Sequence, residues 1–155
     1  MATRLIKGVR VKPLKVIPDE RGCLFEMLRR DEPLFQKFGQ VYCTAVYRGV
    51  VKGWHYHKRQ VDNFVCVAGM IKLVLYDGRA GSPTKGLINE FFMGAQQQLL
   101  VQIPAGIYHG FKGLTEPEAL VINIASEPYH HAKPDEYRLP PHGGDIPYDW
   151  ARKDG

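Results

Sequence analysis

The sequence predicts an all-β fold, a sandwich or barrel of short strands with one or two short helices. Two observations carry this prediction. Apolar and alternating runs recur at near-regular spacing from residue 40 to residue 126, each bounded by turn residues. Glycine and proline are plentiful, at 16 and 11 residues, as many short strands and turns require. A chain of 155 residues can bury one core, so a single domain over 1–155 is expected. Its barrel core is placed at about 40–126, with N-terminal strands within 8–30 and a C-terminal tail, 127–155, packing on it.

The elements follow in order. Val9, Val11, Leu14 and Val16 alternate weakly and predict a first strand interrupted at Pro13. Residues 18–22 form a turn, and 23–28 resume a strand. Asp31-Glu32-Pro33 is a helix-start pattern, with Leu34, Phe35 and Phe38 following and Gly39 as the stop, so a short helix is expected there. Strands are then predicted at 41–47 and 50–57, turning at Arg48-Gly49. Residues 63–67 and 70–76 are predicted to form a hairpin about Ala68-Gly69. An irregular loop covers 77–86, in which Ser82-Pro83-Thr84 is a turn. Strands at 87–93, 98–103, 108–112 and 118–125 complete the series. In the tail, Tyr137, Ile146, Tyr148 and Trp150 can pack on the barrel. Phe91-Phe92 and Leu99-Leu100-Val101 are expected in the core or at a dimer interface, and His130-His131 in solvent.

Charge narrows the partners. Twenty-one basic residues against 16 acidic give a net charge of +5. The basic residues are dispersed, so nucleic acid is not expected; a phosphate-bearing small ligand is the sharper reading. No apolar stretch approaches the roughly 20 residues needed to span a bilayer, so no membrane partner is expected. The N-terminus carries no long apolar run, so no secretory leader is expected and the location is expected to be cytoplasmic. Cys23, Cys43 and Cys66 each lie in mostly apolar runs and are expected to be buried free thiols.

The chemistry centres on Trp54-His55-Tyr56-His57. On a strand, residues two apart share a face, so His55 and His57 look one way and Trp54 and Tyr56 the other. Two imidazoles on one face make either a metal site or a general-base site. Gly49, His55, His57, Asp62 and Gly69, together with Pro104, Gly106 and His109, resemble the two motifs of the cupin superfamily, which implies a double-stranded β-helix, or jelly-roll barrel. Asp62 stands where a glutamate is usual, and Gly113 where an asparagine often stands. In metal-binding cupins the corresponding residues are ligands, which implies His55, His57, Asp62 and His109 as a possible set for a divalent ion.

A metal-free site is favoured because of a closer resemblance. Asp19-Glu20-Arg21-Gly22, Phe25-Glu26, Gln40, Lys52-Gly53-Trp54-His55, Asp77-Gly78-Arg79, residues 82–86, residues 103–111 and Ile146-Pro147-Tyr148-Asp149-Trp150 resemble the dTDP-4-dehydrorhamnose 3,5-epimerase family over residues 19 to 150. That resemblance implies a metal-free cupin acting on nucleotide-linked 4-keto sugars. It implies His55 as the base that removes the proton alpha to the C4 ketone, Arg21 as a phosphate contact, and Glu26 and Gln40 as polar ligand contacts. Lys52 replaces an arginine just before the base. Tyr108 and His109 are added as substrate contacts at the expected mouth.

Three departures concern the catalytic groups. Asp62 falls where the family has a lysine near the ketone oxygen, and Asn123 where it has a proton-donating tyrosine. The aspartate that orients the base falls near Gly143, with Asp145 two residues on and His142 and Tyr129 as further substitutes. His55, His57, Asp62, Asn123 and Asp145 are therefore the catalytic candidates. The expected activity is epimerisation or isomerisation of a nucleotide-linked 4-keto-6-deoxyhexose by a homodimer. A second branch of the same fold, the nucleotide-sugar 3,4-ketoisomerases, carries a similar His-x-His-Lys segment, so that reaction stays open. A metal-dependent cupin reaction and a non-catalytic sugar-nucleotide binder are the remaining alternatives.

Overall fold

Two five-stranded antiparallel sheets face one another in a computed structural model that describes residues 4–154. The strands are β1 (Arg10–Pro13), β2 (Ile17–Asp19), β3 (Gly22–Leu24), β4 (Gln40–Tyr47), β5 (Val51–Tyr56) and β6 (Asp62–Ala68). They continue as β7 (Met70–Tyr76), β8 (Ile88–Gly94), β9 (Leu99–Ile103), β10 (Tyr108–Gly113), β11 (Glu118–Ala125) and β12 (Tyr137–Arg138). The first sheet runs β1-β9-β6-β11-β4, the second β12-β5-β10-β7-β8, and β2 and β3 form a separate hairpin. This is the jelly-roll arrangement the two motifs imply: from β4 to β11 the chain changes sheet at every step except the β7–β8 hairpin.

Alternation sets the core. Phe64 and Cys66 on β6, Ile71, Leu73 and Leu75 on β7, and Val101 and Ile103 on β9 meet between the sheets with Phe111 and Val121. The segment from Leu14 to Leu34 covers the outer face of the first sheet over Val65 and Leu100.

Four expectations are corrected. No helix forms over 31–39, or anywhere among the described residues. So short a segment cannot offset helix nucleation by itself, and its backbone is claimed from outside. Gln102 Nε2 donates to Leu34 O at 2.6 Å, and Gly39 N donates to Ala125 O at 2.9 Å. Second, β6 and β7 are not a hairpin; they lie in opposite sheets. Gly69 makes the switch at φ +68°, where a Cβ would sit 2.5 Å from Thr115 Oγ1. Third, the N-terminal strands are shorter than expected, with β1 stopping at Pro13 and β3 at Leu24. Fourth, only Cys66 is buried; Cys23 and Cys43 are free but exposed.

The tail straps the second sheet from outside. Trp54, the outward neighbour of His55, packs on Trp150 and Tyr148 with ring centroids 5.0 and 5.9 Å away. Lys112 Nζ, also outward, donates to Trp150 O at 2.8 Å. Trp54 and Trp150 are both almost fully buried, so the strap fixes the strand that carries His55. Trp150→Ala should cost about 3–5 kcal/mol of stability, read as a lower denaturant midpoint. A midpoint equal to that of the unmodified chain would show that the strap is not part of the core.

Candidate active site

A cavity of about 1170 Å³ opens at one end of the barrel, between the two sheets and beneath the tail. Phe64, Phe111 and Val121 line it and also belong to the core, so they form its apolar floor. Its walls are set by strand alternation. On β4, Gln40, Tyr42 and Thr44 face inward above buried Val46; on β11 the inward residue is Asn123. On the opposite sheet β5 contributes Lys52 and His55, and β10 contributes His109.

A bulge aims His55. His109 pairs with His55, but Phe111 pairs with Lys52, so Gly53 and Trp54 together oppose Gly110. The backbones are close enough there that a Cβ on Gly53 would lie 2.7 Å from Gly110 Cα. The bulge puts Trp54 under the strap and His55 in the cavity. Among the described residues His55 has no hydrogen-bond partner for its ring. Burial, followed by the neighbouring His109, pushes its pKa down to about 4. Its ring is therefore a free neutral base at neutral pH.

His57 and His109 are held quite differently. Both converge on Asp62, which is 1% exposed. Asp62 Oδ2 lies 3.3 Å from His57 Nε2 and 3.4 Å from His109 Nε2. Asp62 Oδ1 accepts hydrogen bonds from Gln60 Nε2 at 2.7 Å and Asn123 Nδ2 at 2.8 Å. Burial alone would raise the Asp62 pKa, but the hydrogen bond and charge of His57, with the Asn123 amide, outweigh it and hold it below the ordinary carboxylate value. The other ring nitrogen of each histidine faces a carbonyl, Asp135 O for His57 and Ile107 O for His109. A carbonyl only accepts, so each Nδ1 carries a proton and each Nε2 is left facing a carboxylate oxygen. Something positive must sit between them. A proton on His57 satisfies one side: burial opposes it, but Asp62 and Asp135 raise the His57 pKa above its ordinary value. Fully buried His109 is pushed the other way and stays neutral.

A divalent ion is the other solution. The ligand atoms of His57, Asp62 and His109 lie within 4.8 Å of one another. Separations of 3.3 and 3.4 Å match neighbouring ligands at about 2.0–2.1 Å around a tetrahedral centre, and carbonyl-anchored Nδ1 atoms are the usual outer support. The donor set thus fits an ion, but without His55, which the expected four-ligand set included.

The remaining expected residues divide. Gln40 Oε1 holds Tyr129 N at 3.0 Å, and Lys52 Nζ donates to Thr44 Oγ1 at 2.9 Å, both on the cavity wall. Tyr108 is corrected: it alternates with His109, so it lies on the outer face against Tyr56 and Tyr76. Asp145 and His142 are exposed and do not line the cavity. The carboxylate whose charge acts on His55 is Glu136, which lines the cavity beside its partner Arg138. Arg21 and Glu26 also lie outside the cavity, on the exposed hairpin and the segment after it, paired with Asp19 and Arg29. Sequence reasoning missed Tyr42, Thr44, Arg59, Gln60, Glu136 and Arg138. The polar alternation Gln40, Tyr42, Thr44 on a predicted strand was the available signal for two of them.

Known proteins resemble this chain over nearly its whole length. The family model described as dTDP-4-dehydrorhamnose 3,5-epimerase matches residues 3–154. The spore coat polysaccharide biosynthesis protein SpsL of Bacillus subtilis is 38% identical over 146 residues, 94% of this chain and 97% of its own. The probable low-salt glycan biosynthesis epimerase Agl13 of Haloferax volcanii is 39% identical over 147 residues, 94% of each chain. A dTDP sugar isomerase from Desulfovibrio desulfuricans superposes with a TM-score of 0.89 at 34% identity, over 96% of this chain and 94% of its own. The 3'-monoepimerase ChmJ of Streptomyces bikiniensis, solved with dTDP-quinovose, superposes with a TM-score of 0.84 at 28% identity, over 97% of this chain and 78% of its own.

The burial of His55 has a pH consequence. The unfolded chain protonates this imidazole near 6.5, the folded protein only near 4. Between these values the unfolded state binds more protons, so this group lowers stability as pH falls through the window. NMR titration of the His55 ring should give a midpoint near 4. A midpoint near 6.5 would contradict the buried, uncharged base.

Proposed function

The chain belongs to the dTDP-4-dehydrorhamnose 3,5-epimerase family, and we propose that it epimerises or isomerises a nucleotide-linked 4-keto-6-deoxyhexose, with His55 as the base. The observation that carries this is the His55 imidazole, neutral and without a hydrogen-bond partner among the described residues, facing a cavity of about 1170 Å³. The proton alpha to a ketone is acidic because its carbanion delocalises onto oxygen as an enolate. His55 takes that proton. The charge that develops on the oxygen is met by the positive group held on Asp62, which in the metal-free site is the His57 imidazolium. Lys52, Arg59 and Arg138 line the same cavity and supply cations for a diphosphate. Arg138 is already paired with Glu136 at 2.7 Å, so a diphosphate would compete with that carboxylate.

A homodimer accompanies this reading. All six strand residues of the β2–β3 hairpin are exposed, including apolar Ile17 and Leu24. A second copy laid against that hairpin would cover these side chains and would account for Arg21 and Glu26 as ligand contacts. The reaction class supports a cytoplasmic location, where activated sugars are made.

The converging His57, Asp62 and His109 favour a second reading, an enzyme that holds a divalent ion. Such an ion would polarise the ketone oxygen; the other roles would stay with the same side chains.

His55→Ala should lower turnover by about 10²–10⁴-fold, the usual contribution of a positioned base, and abolish solvent deuterium uptake into a nucleotide-linked 4-keto-6-deoxy sugar. Unchanged deuterium uptake would remove His55 from the mechanism. Elemental analysis of protein purified without chelator decides the second reading: less than stoichiometric metal, with no activation by added divalent ions, would end it.

A further inference from the structure

Inverting a carbon needs two proton-transfer groups. A base on one wall takes the proton, and if it alone returns it, the proton comes back to the same face. Inversion requires a donor on the opposite wall. His55 stands on the second sheet, so the donor must come from the first, where β4 and β11 form the wall.

That wall offers few protons. Phe64 and Val121 have none to give. Gln40 is an amide. The Thr44 hydroxyl already accepts from Lys52 Nζ. Asn123 has spent its carboxamide: Nδ2 donates to Asp62 Oδ1 at 2.8 Å and to Tyr42 Oη at 2.9 Å, and Oδ1 accepts from Asn63 N at 3.1 Å. An amide N–H is in any case no acid at neutral pH. Tyr42 remains, the one residue of this wall with an ionisable proton. We propose that the Tyr42 hydroxyl is the proton donor that delivers hydrogen to the enolate from the face opposite His55, an inference that rests on the epimerase reading above.

The geometry suits the task. Tyr42 and Asn123 are directly paired across β4 and β11, so their side chains share a face. Asn123 donates to the phenol oxygen, which leaves the phenol's own hydrogen without a protein acceptor among the described residues, free to point into the cavity. The same bond stabilises the phenolate that forms on donation. Tyr42 keeps 41% of its surface open, so a ligand can reach it. Tyr129 also lines the cavity, but from a loop, packed edge-on against His131, and no bond among the described residues fixes its hydroxyl.

The protons balance. His55 removes the α-hydrogen, and the C–H electrons pass to the ketone oxygen as an enolate. The enolate carbon takes hydrogen from Tyr42 as the ketone reforms. Tyr42 then regains a proton from water and His55 releases one, so the net change is stereochemical and no co-reactant is consumed. Asn123 is a positioning residue here: it holds the phenol and cannot relay a proton.

The experiment follows dTDP-4-dehydro-6-deoxyglucose in deuterium oxide by NMR, scoring deuterium uptake and inverted product separately. The unmodified chain should show both. Tyr42→Phe keeps the ring and should still exchange deuterium through His55 with retention, while inverted product falls at least 100-fold. His55→Ala should lose both signals. Inversion by Tyr42→Phe at the unmodified rate would overturn the assignment. So would joint loss of exchange and inversion in a Tyr42→Phe protein whose melting temperature is unchanged, since Tyr42 would then serve proton removal or binding. Absence of exchange and inversion in the unmodified chain would overturn the epimerase reading itself, and this inference with it.

Discussion

The Asp62 carboxylate is the constraint on which the site depends. It sits buried where the two sheets meet. Gln60 and Asn123 reach it from the side of the first sheet, and His57 and His109 from the second. An unpaired carboxylate at that depth would cost several kcal/mol. Its four partners offset that cost only while both sheets hold their spacing. The same bonds fix everything around the cavity floor. Asn123 is turned so that its second N–H meets Tyr42, and His57 is turned so that Nδ1 meets Asp135.

Asp62 also separates the three histidines into different species. Its carboxylate raises the pKa of His57, burial lowers that of His109, and His55 lies beyond it with a pKa lowered by burial. Three identical imidazoles on neighbouring positions thus differ in how readily they take a proton. Burial and one carboxylate decide which is which.

The C-terminal tail acts on both surfaces of β5. Outside, Trp150 and Tyr148 clamp Trp54. At the rim, the Asp135 carboxylate accepts the backbone N–H groups of Lys58, Arg59 and Gln60, and so closes the turn that follows His57. Glu136 and Arg138 then bring opposite charges to the mouth. A segment that looks like a loop in sequence is thus part of the site, because a two-residue strand, β12, registers it against Tyr56 and His55.

The sequence by itself determined the all-β class, most strand positions, the shared face of His55 and His57, and the motifs that resemble the family. These follow from local alternation and spacing, which a linear chain displays directly. Only the tertiary structure decided which sheet each strand joined. Gly69 has the look of a hairpin turn, yet it carries the chain between sheets, because the partners of β6 and β7 are distant in sequence. The same applies to chemistry. Tyr108 neighbours His109 in sequence but faces away from it, Asp145 lies outside the cavity that holds the base it was expected to orient, and Tyr42 meets Asn123 across 81 residues of chain. A proton donor and the group that positions it are brought together by cross-strand register, and register is fixed by long-range pairing rather than by local sequence.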